Sequence, residues 1–259
     1  MMASMRKLLA PLLFLTSLSL GDPLLAAPIG QAANSTLVFT IDAATSAQTI
    51  VGGIGPHSIG TMAFAAGGQL FGANGTLLFR IDAATSAQTV VGSQGPHNII
   101  AMAFDADGQL YGANSSLLFR IDAATSTQTI VGGIGPHSVE TMAFAPDGQL
   151  YGANSTILFR IDTATSAQTF IGNFGPHSIH TMAFAPDGQL YGANGTMLLR
   201  IDAATSAQTV VGSVGPNNID AMAFSPIADV PEPATVVLLA SAFLGTRARR
   251  RLRQVRCES

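Results

Sequence analysis

The feature that most constrains the fold is a segment that returns every forty residues. Residues 135–156 read GPHSVETMAFAPDGQLYGANST, and closely similar segments precede and follow them at this interval. Two markers hold the register in five copies each: an Ile-Asp pair (Ile41-Asp42, Ile81-Asp82, Ile121-Asp122, Ile161-Asp162, Ile201-Asp202) and a phenylalanine (Phe64, Phe104, Phe144, Phe184, Phe224). A fixed period of this length predicts a chain of stacked structural units with one shared architecture.

Within a repeat the apolar residues alternate as they do in strands, and no stretch has the helical spacing of 3.6 residues. In the copy that follows residue 140 the pattern predicts four short strands, over residues 141–145, 149–152, 158–161 and 168–171. Pro146-Asp147-Gly148 predicts the first turn, and the pairs Asn74-Gly75 and Asn194-Gly195 predict a reversal suited to positive φ. We expect the Asp162 carboxylate to accept hydrogen bonds from the next backbone amides.

Four antiparallel strands in about forty residues is the pattern of a propeller blade. The copies begin at a third strand and finish after a first strand, while Ala33-Asn34 aligns with the end of a second strand. We therefore predict an all-β, five-bladed β-propeller whose last blade combines strands from both ends of the chain. The phrases FAPDGQLYGAN and LFRIDTATSAQT also resemble blades of bacterial propellers, an architecture shared by many functions. An open β-solenoid is the alternative, although it would need atypical capping units.

The ends of the chain differ from the repeats. Arg6 and Lys7 precede an apolar run over residues 8–20, and small residues follow at Ala26 and Ala27. This order is typical of a secretory signal peptide, which we assign to residues 1–27. A transmembrane helix is the weaker interpretation, because Ser17 and Ser19 interrupt the run.

At the other end, Pro231, Glu232 and Pro233 precede a short apolar segment over residues 236–245 and then an arginine cluster (Arg247, Arg249, Arg250, Arg251, Arg253). Arginines remain on the cytoplasmic side of a membrane, so this order predicts a membrane segment with a basic cytoplasmic tail. The segment resembles the PEP-CTERM sorting signal of Gram-negative bacteria that make extracellular polysaccharide. The resemblance implies partners in the export machinery and an exosortase, a transmembrane helix before processing, and an address in the cell envelope or extracellular matrix. A simple tail anchor is the alternative.

These assignments divide the chain into a signal peptide (1–27), a repeat domain (28–226), a linker (227–230) and a sorting signal (231–259). The repeat domain has four arginines and no lysine against eleven acidic residues, a net charge of −7. Nucleic acid is therefore not an expected partner, because phosphate binding needs clustered cations. The single cysteine, Cys257, lies in the sorting signal, so we expect no disulfide in the repeat domain.

Two sets of polar residues recur in loops that a propeller would place on one face. They are four histidines (His57, His97, His137, His177) and four asparagines (Asn74, Asn114, Asn154, Asn194), with Asn217 at the fifth histidine position. Repeated imidazoles and amides predict shallow sites for sugar hydroxyls, one on each blade. The competing interpretation is turn chemistry, with the histidine packed against a neighbour.

One loop position differs in chemical character in every copy, where Gly60, Ile100, Glu140, His180 and Asp220 are equivalent. Glu140, His180 and Asp220 fall on neighbouring blades, and this residue set suits a divalent cation. Drift at an exposed position is the other interpretation.

No nucleophile elbow, phosphate loop or metalloprotease motif occurs, so we predict that the protein is not an enzyme and needs no cofactor. We expect an exported structural or binding module that contacts polysaccharide through its repeated loops. A metal-dependent hydrolase or lactonase-like enzyme centred on Glu140, His180 and Asp220 is the alternative, and an inert spacer is a third.

Overall fold

A computed structural model describes residues 27–93 and 95–226, which form twenty strands and no α-helix. The strands are β1 (Ile29–Ala33), β2 (Leu37–Asp42), β3 (Gln48–Gly53), β4 (Thr61–Phe64), β5 (Leu70–Ala73), β6 (Leu77–Ile81), β7 (Gln88–Ser93), β8 (Ala101–Phe104), β9 (Leu110–Ala113), β10 (Leu117–Ile121), β11 (Gln128–Gly133), β12 (Thr141–Phe144), β13 (Leu150–Ala153), β14 (Ile157–Ile161), β15 (Gln168–Asn173), β16 (Thr181–Phe184), β17 (Leu190–Ala193), β18 (Met197–Ile201), β19 (Gln208–Ser213) and β20 (Ala221–Phe224).

The strands form five antiparallel sheets of four, which are the blades of a five-bladed propeller. Blade 1 is β4–β7, blade 2 is β8–β11, blade 3 is β12–β15 and blade 4 is β16–β19. The first strand of each blade contacts the first strand of the next blade, in the order β4, β8, β12, β16, β20 and back to β4. The predicted fold class is therefore confirmed, and the closed ring rules out an open solenoid.

The closing blade has the strand order β20-β1-β2-β3. β1 from the N-terminal side pairs with β20 from the C-terminal side, for example Ala33 with Ala221 and Ala32 with Met222. This pairing joins the two ends of the repeat domain and leaves no unpaired edge at the end of the array. The predicted composite blade is confirmed.

Three turns give each blade its shape. Gly148 in the first turn has φ +82°, a value that favours glycine. The expected cap at Asp162 forms, because its Oδ1 accepts 2.8 Å hydrogen bonds from the N–H groups of Ala164 and Thr165. In the reversal between the second and third strands, Gly195 has the expected positive φ but Gly75 does not. There the reversal forms because Asn74 Oδ1 accepts bonds from the chain two and three residues ahead, so the expectation for Gly75 was wrong.

Neighbouring blades are joined by a buried serine in the turn before each fourth strand. Ser166 has φ 61°, and its hydroxyl donates a 2.7 Å hydrogen bond to the Gly133 carbonyl of the preceding blade. Equivalent bonds cross each of the remaining four seams, and the bond from the Ser46 hydroxyl to the Ser213 carbonyl closes the ring. The apolar core lies in these seams: Leu118 and Phe119 of blade 2 share one cluster with Met142 and Phe159 of blade 3.

In the described part of the chain, no helix has the length and apolar character needed to cross a membrane. The predicted signal peptide, apart from its last residue, and the whole predicted sorting signal, including the membrane segment over residues 236–245, lie outside the described residues.

Candidate functional site

The two faces of the ring carry different loops. The upper face has the loops that enter each blade and the loops between second and third strands, because antiparallel strands alternate in direction. Contacts between the two kinds of loop confirm that they share a face: Asn74 Nδ2 donates to the Ser58 carbonyl at 3.4 Å, and the Ile179 amide donates to the Ser155 carbonyl at 3.3 Å. The lower face has the loops between first and second strands and between third and fourth strands.

Each recurring histidine is held by its backbone, and the rings of three of the four pack on a phenylalanine. Gln168 at the start of β15 accepts from the His137 amide at 2.9 Å and donates to the His137 carbonyl at 2.7 Å. The half-buried imidazole lies over Phe159 of the third strand, with ring centroids 5.8 Å apart. His57 and His97 have the same arrangement on Phe79 and Phe119. The imidazoles therefore lie out along the blades, away from the axis of the ring.

An exposed apolar side chain lies beside this histidine, and the sequence analysis did not single it out. Phe170 of β15 pairs with Phe159 and is 54% exposed, and its ring centroid is 6.4 Å from that of His137. Every fourth strand exposes an apolar residue at the same position (Ile50, Val90, Ile130, Phe170, Val210). A bulge in the fourth strand, next to the Phe159–Phe170 pair, shifts the register, and no residue pattern in the sequence predicted it.

The asparagines mainly build their own turns. Asn154 Oδ1 accepts from the amide and hydroxyl of Thr156 and from the amide of Ile157. Asn74 and Asn114 do the same. Asn194 differs, because its backbone carbonyl accepts from Thr196 while its buried Oδ1 has no partner among the described residues. The asparagines share the upper face with the histidines, but their carboxamide oxygens point into the loop.

Glu140, His180 and Asp220 are exposed and directly precede the inner strands of three adjacent blades. The structure does not gather them: across residues 27–93 and 95–226, no three His, Cys, Asp or Glu side chains form a group that could hold a metal ion. Glu140 Oε2 instead accepts a 2.9 Å bond from Ser155 Oγ, and His180 Nε2 lies 3.5 Å from Ser178 Oγ. The metal hypothesis for these residues stays a prediction.

The inner strands of neighbouring blades pack against one another. The inner-strand alanines (Ala63, Ala103, Ala143, Ala183, Ala223) are 4–7% exposed.

The lower face is rich in carboxylates that serve turns. The pKa values of Asp82, Asp122, Asp162 and Asp202 are lowered from the ordinary aspartate value, because backbone N–H groups donate to the ionised form. The largest contribution comes from Ala84 for Asp82, Ala124 for Asp122, Thr165 for Asp162 and Ala204 for Asp202. These carboxylates stay ionised at neutral pH and are part of the fold.

Comparison with protein families finds one match, outside the described residues. Residues 229–251 match the PEP-CTERM protein-sorting motif, which includes the predicted Pro231, Glu232 and Pro233. The chain therefore carries the sorting signal of an exported protein, a signal that exosortases recognise and that is typical of the Gram-negative cell envelope. No curated protein is significantly similar to the chain in sequence.

Solved structures share the fold at low sequence identity. A chain in the nidogen/laminin complex has a TM-score of 0.57 and 9% identity, with 79% of this chain and 100% of that chain covered. A symmetrical protein from a study of de novo evolutionary emergence has a TM-score of 0.55 and 18% identity, with 78% of this chain and 100% of that chain covered. A proposed gluconolactonase has a TM-score of 0.51 and 12% identity, with 75% and 81% covered. At these identities the likeness shows the propeller fold alone, and it gives no evidence for or against catalysis.

Proposed function

We propose that the protein is a binding module of the outer cell envelope or extracellular matrix that holds polysaccharide at repeated patches on its blades. The observation that carries this proposal is the pairing of a half-buried imidazole with an exposed apolar side chain, seen at His137 and Phe170. We call each such pair a rim patch. The other rim patches are His57 with Val90, His97 with Ile130, and His177 with Val210, by equivalence of position.

The chemistry of a rim patch suits a sugar ring. A pyranose has an apolar face of C–H groups and a rim of hydroxyls, so it fits a surface that offers both kinds of contact. Phe170 supplies an apolar face, and the ring nitrogens of His137 form no hydrogen bond with any described residue. A neutral imidazole has one donor and one acceptor, which can bond sugar hydroxyls. The histidine backbone is already fixed by Gln168, so little conformational entropy is lost on binding.

The repetition of the rim patch favours a polymer as ligand. A single shallow patch on an exposed strand binds weakly, but four patches at fixed positions on a rigid ring engage successive units of one chain. Binding at one patch raises the effective concentration at the next, and avidity can exceed single-site affinity by about 10²–10⁴. Polysaccharide is the repetitive polymer expected where a PEP-CTERM protein is delivered.

The rim patch of blade 3 gives the sharpest test, because its exposed apolar residue is a phenylalanine, whereas the other rim patches have valine or isoleucine. The full chain in mild detergent is titrated by calorimetry with neutral oligosaccharides of increasing length. We expect affinity to rise with length and Phe170→Ala combined with His137→Ala to weaken it about tenfold. Phe170→Val, which copies the residue of blade 4, is the matched control and should cost less. Affinity that does not depend on length, or that survives the double substitution together with His57→Ala, His97→Ala and His177→Ala, contradicts the proposal.

A further inference from the structure

A second surface, on the lower face, has a different chemistry. A polar pocket of about 480 Å³ opens on blade 4, with Arg200, Asp202, Thr209 and Gln189 in its lining and Leu190 buried in its floor. We propose that this pocket, and its equivalents on blades 1–3, bind the carboxylate of a sugar acid such as a hexuronate unit. This pocket lies on a different face from the rim-patch histidines and would bind a charged ligand rather than a neutral one. The proposal therefore does not depend on the rim patches.

Arg200 is the group that would bind the carboxylate. It is exposed, and it forms no ion pair or hydrogen bond within residues 27–93 and 95–226. Its guanidinium carbon lies 5.9 Å from the centre of the Tyr191 ring, which holds the side chain in place. A guanidinium can donate two parallel hydrogen bonds to one carboxylate, and an arginine already restrained by an aromatic ring loses less entropy in doing so.

The neighbouring groups favour a sugar acid over an acidic peptide. The Asp202 carboxylate and the Thr209 hydroxyl line the same pocket and can accept hydrogen bonds from sugar hydroxyls. The side chains of an acidic peptide offer these acceptors no hydroxyl donors, so nothing offsets the repulsion between the Asp202 carboxylate and the ligand. A ligand with one carboxylate beside several hydroxyls satisfies both kinds of group.

The arginine that lines the blade 4 pocket recurs on three other blades. Blades 1–3 have Arg80, Arg120 and Arg160 at the same position, each followed by Ile-Asp, and these four are the only cations besides histidine in residues 28–226. The guanidinium groups of Arg80 and Arg120 also lie over aromatic rings, at 5.7 Å from Phe71 and Tyr111. The closing blade has Thr40 instead, so it lacks the site. Four of the five blades therefore present the same anion-binding group.

The test compares one ligand with and without its charge. The full chain in mild detergent is titrated with a six-unit oligogalacturonate, with its fully methyl-esterified form and with hexaglutamate. We expect the acid to bind at least tenfold more tightly than the ester, since hydrogen bonds to a charged group are worth about 10- to 100-fold in affinity. Hexaglutamate should bind much more weakly than the acid.

Substitution of all four arginines by methionine retains an apolar stem at each position and removes the charge. We expect it to lower the affinity for oligogalacturonate to that for the ester, while binding of neutral oligosaccharides through the rim patches is unchanged. Circular dichroism checks the fold, and the corresponding four-lysine variant, which retains the charge, should bind with intermediate affinity.

Three results would overturn the proposal. They are equal affinity for the acid and the ester, equal affinity for hexaglutamate and oligogalacturonate, and undiminished binding of oligogalacturonate by a folded methionine variant. Undiminished binding of neutral oligosaccharides by the histidine variants would contradict the proposed function and leave this proposal standing.

Discussion

The seam between the closing blade and blade 1 is expected to be the weakest of the five. In the other four seams an aromatic ring of a second strand contacts the inner-strand phenylalanine of the next blade, with centroids 5.2–5.5 Å apart (Phe71–Phe104, Tyr111–Phe144, Tyr151–Phe184, Tyr191–Phe224). The closing blade has Gln31 at this position. Gln31 Nε2 donates to the Ala83 carbonyl of blade 1 at 3.3 Å, but its buried Oε1 has no partner among the described residues.

Gln31→Tyr should therefore raise the free energy of unfolding. Removal of a buried unsatisfied oxygen gains about 1–3 kcal/mol and an aromatic pair with Phe64 adds about 0.5–1.5 kcal/mol, while the lost Gln31–Ala83 bond costs about 0.5–1.5 kcal/mol. The net expectation is a stabilisation of about 1–3 kcal/mol. Urea unfolding of the purified chain, followed by circular dichroism, measures it.

The matched control is Tyr111→Gln, which places the same glutamine in the seam between blades 2 and 3. It removes the contact with Phe144 and the stacking of Arg120, and it should cost about 2–5 kcal/mol. If Gln31→Tyr leaves stability unchanged or lowers it while the control loses stability as expected, the account of the closing seam is wrong.

Four further predictions concern the stability of the fold and the binding of a metal ion near the axis of the ring. The free energy of unfolding should fall as the pH drops from about 4 towards the lowered pKa values of the turn aspartates, because the unfolded state binds more protons in that window. Asp162→Asn, which retains the turn, should reduce this acid sensitivity, as measured by urea titrations at a series of pH values. Ser166→Ala should destabilise the chain more than Ser166→Gly, by about 1 kcal/mol, because both lose the bond to Gly133 but only alanine is strained at φ 61°; equal losses would argue against the left-handed conformation. Deletion of one forty-residue unit should prevent closure of the ring and cause aggregation. A stable monomer in size-exclusion chromatography would argue against the closed ring. Elemental analysis should find no stoichiometric metal, and a bound metal lost in His180→Ala would instead support the enzyme alternative.

The sequence was sufficient to predict the blades, because a strict period multiplies a weak strand pattern into a strong one. It also predicted the composite blade, since the array begins with a third strand and ends with a first. The turn at Asp162 followed from its own side-chain chemistry. Boundaries were less certain: β15 runs to Asn173, two residues beyond the prediction, because the bulge adds a residue that the alternation does not encode.

The candidate sites were harder to predict because they depend on which face of a strand is covered. The histidines and asparagines were correctly grouped on one face, but sequence does not show that Gln168 fixes His137 or that Phe170 remains exposed beside it. The Arg200 pocket was missed, although an arginine at the same place in four repeats of an acidic domain was a visible signal. The Asn74 turn was misjudged, because its side chain satisfies the reversal that glycine was expected to make.

The most direct test of the central claim, that this exported propeller binds polysaccharide on its blades, is a crystal structure of the chain with a bound oligosaccharide. The account predicts sugar units packed on Phe170 beside His137 and on the equivalent rim patches of other blades. Sugar bound only at the axis, around Glu140, His180 and Asp220, or absent from every rim patch at saturating concentration, would contradict it.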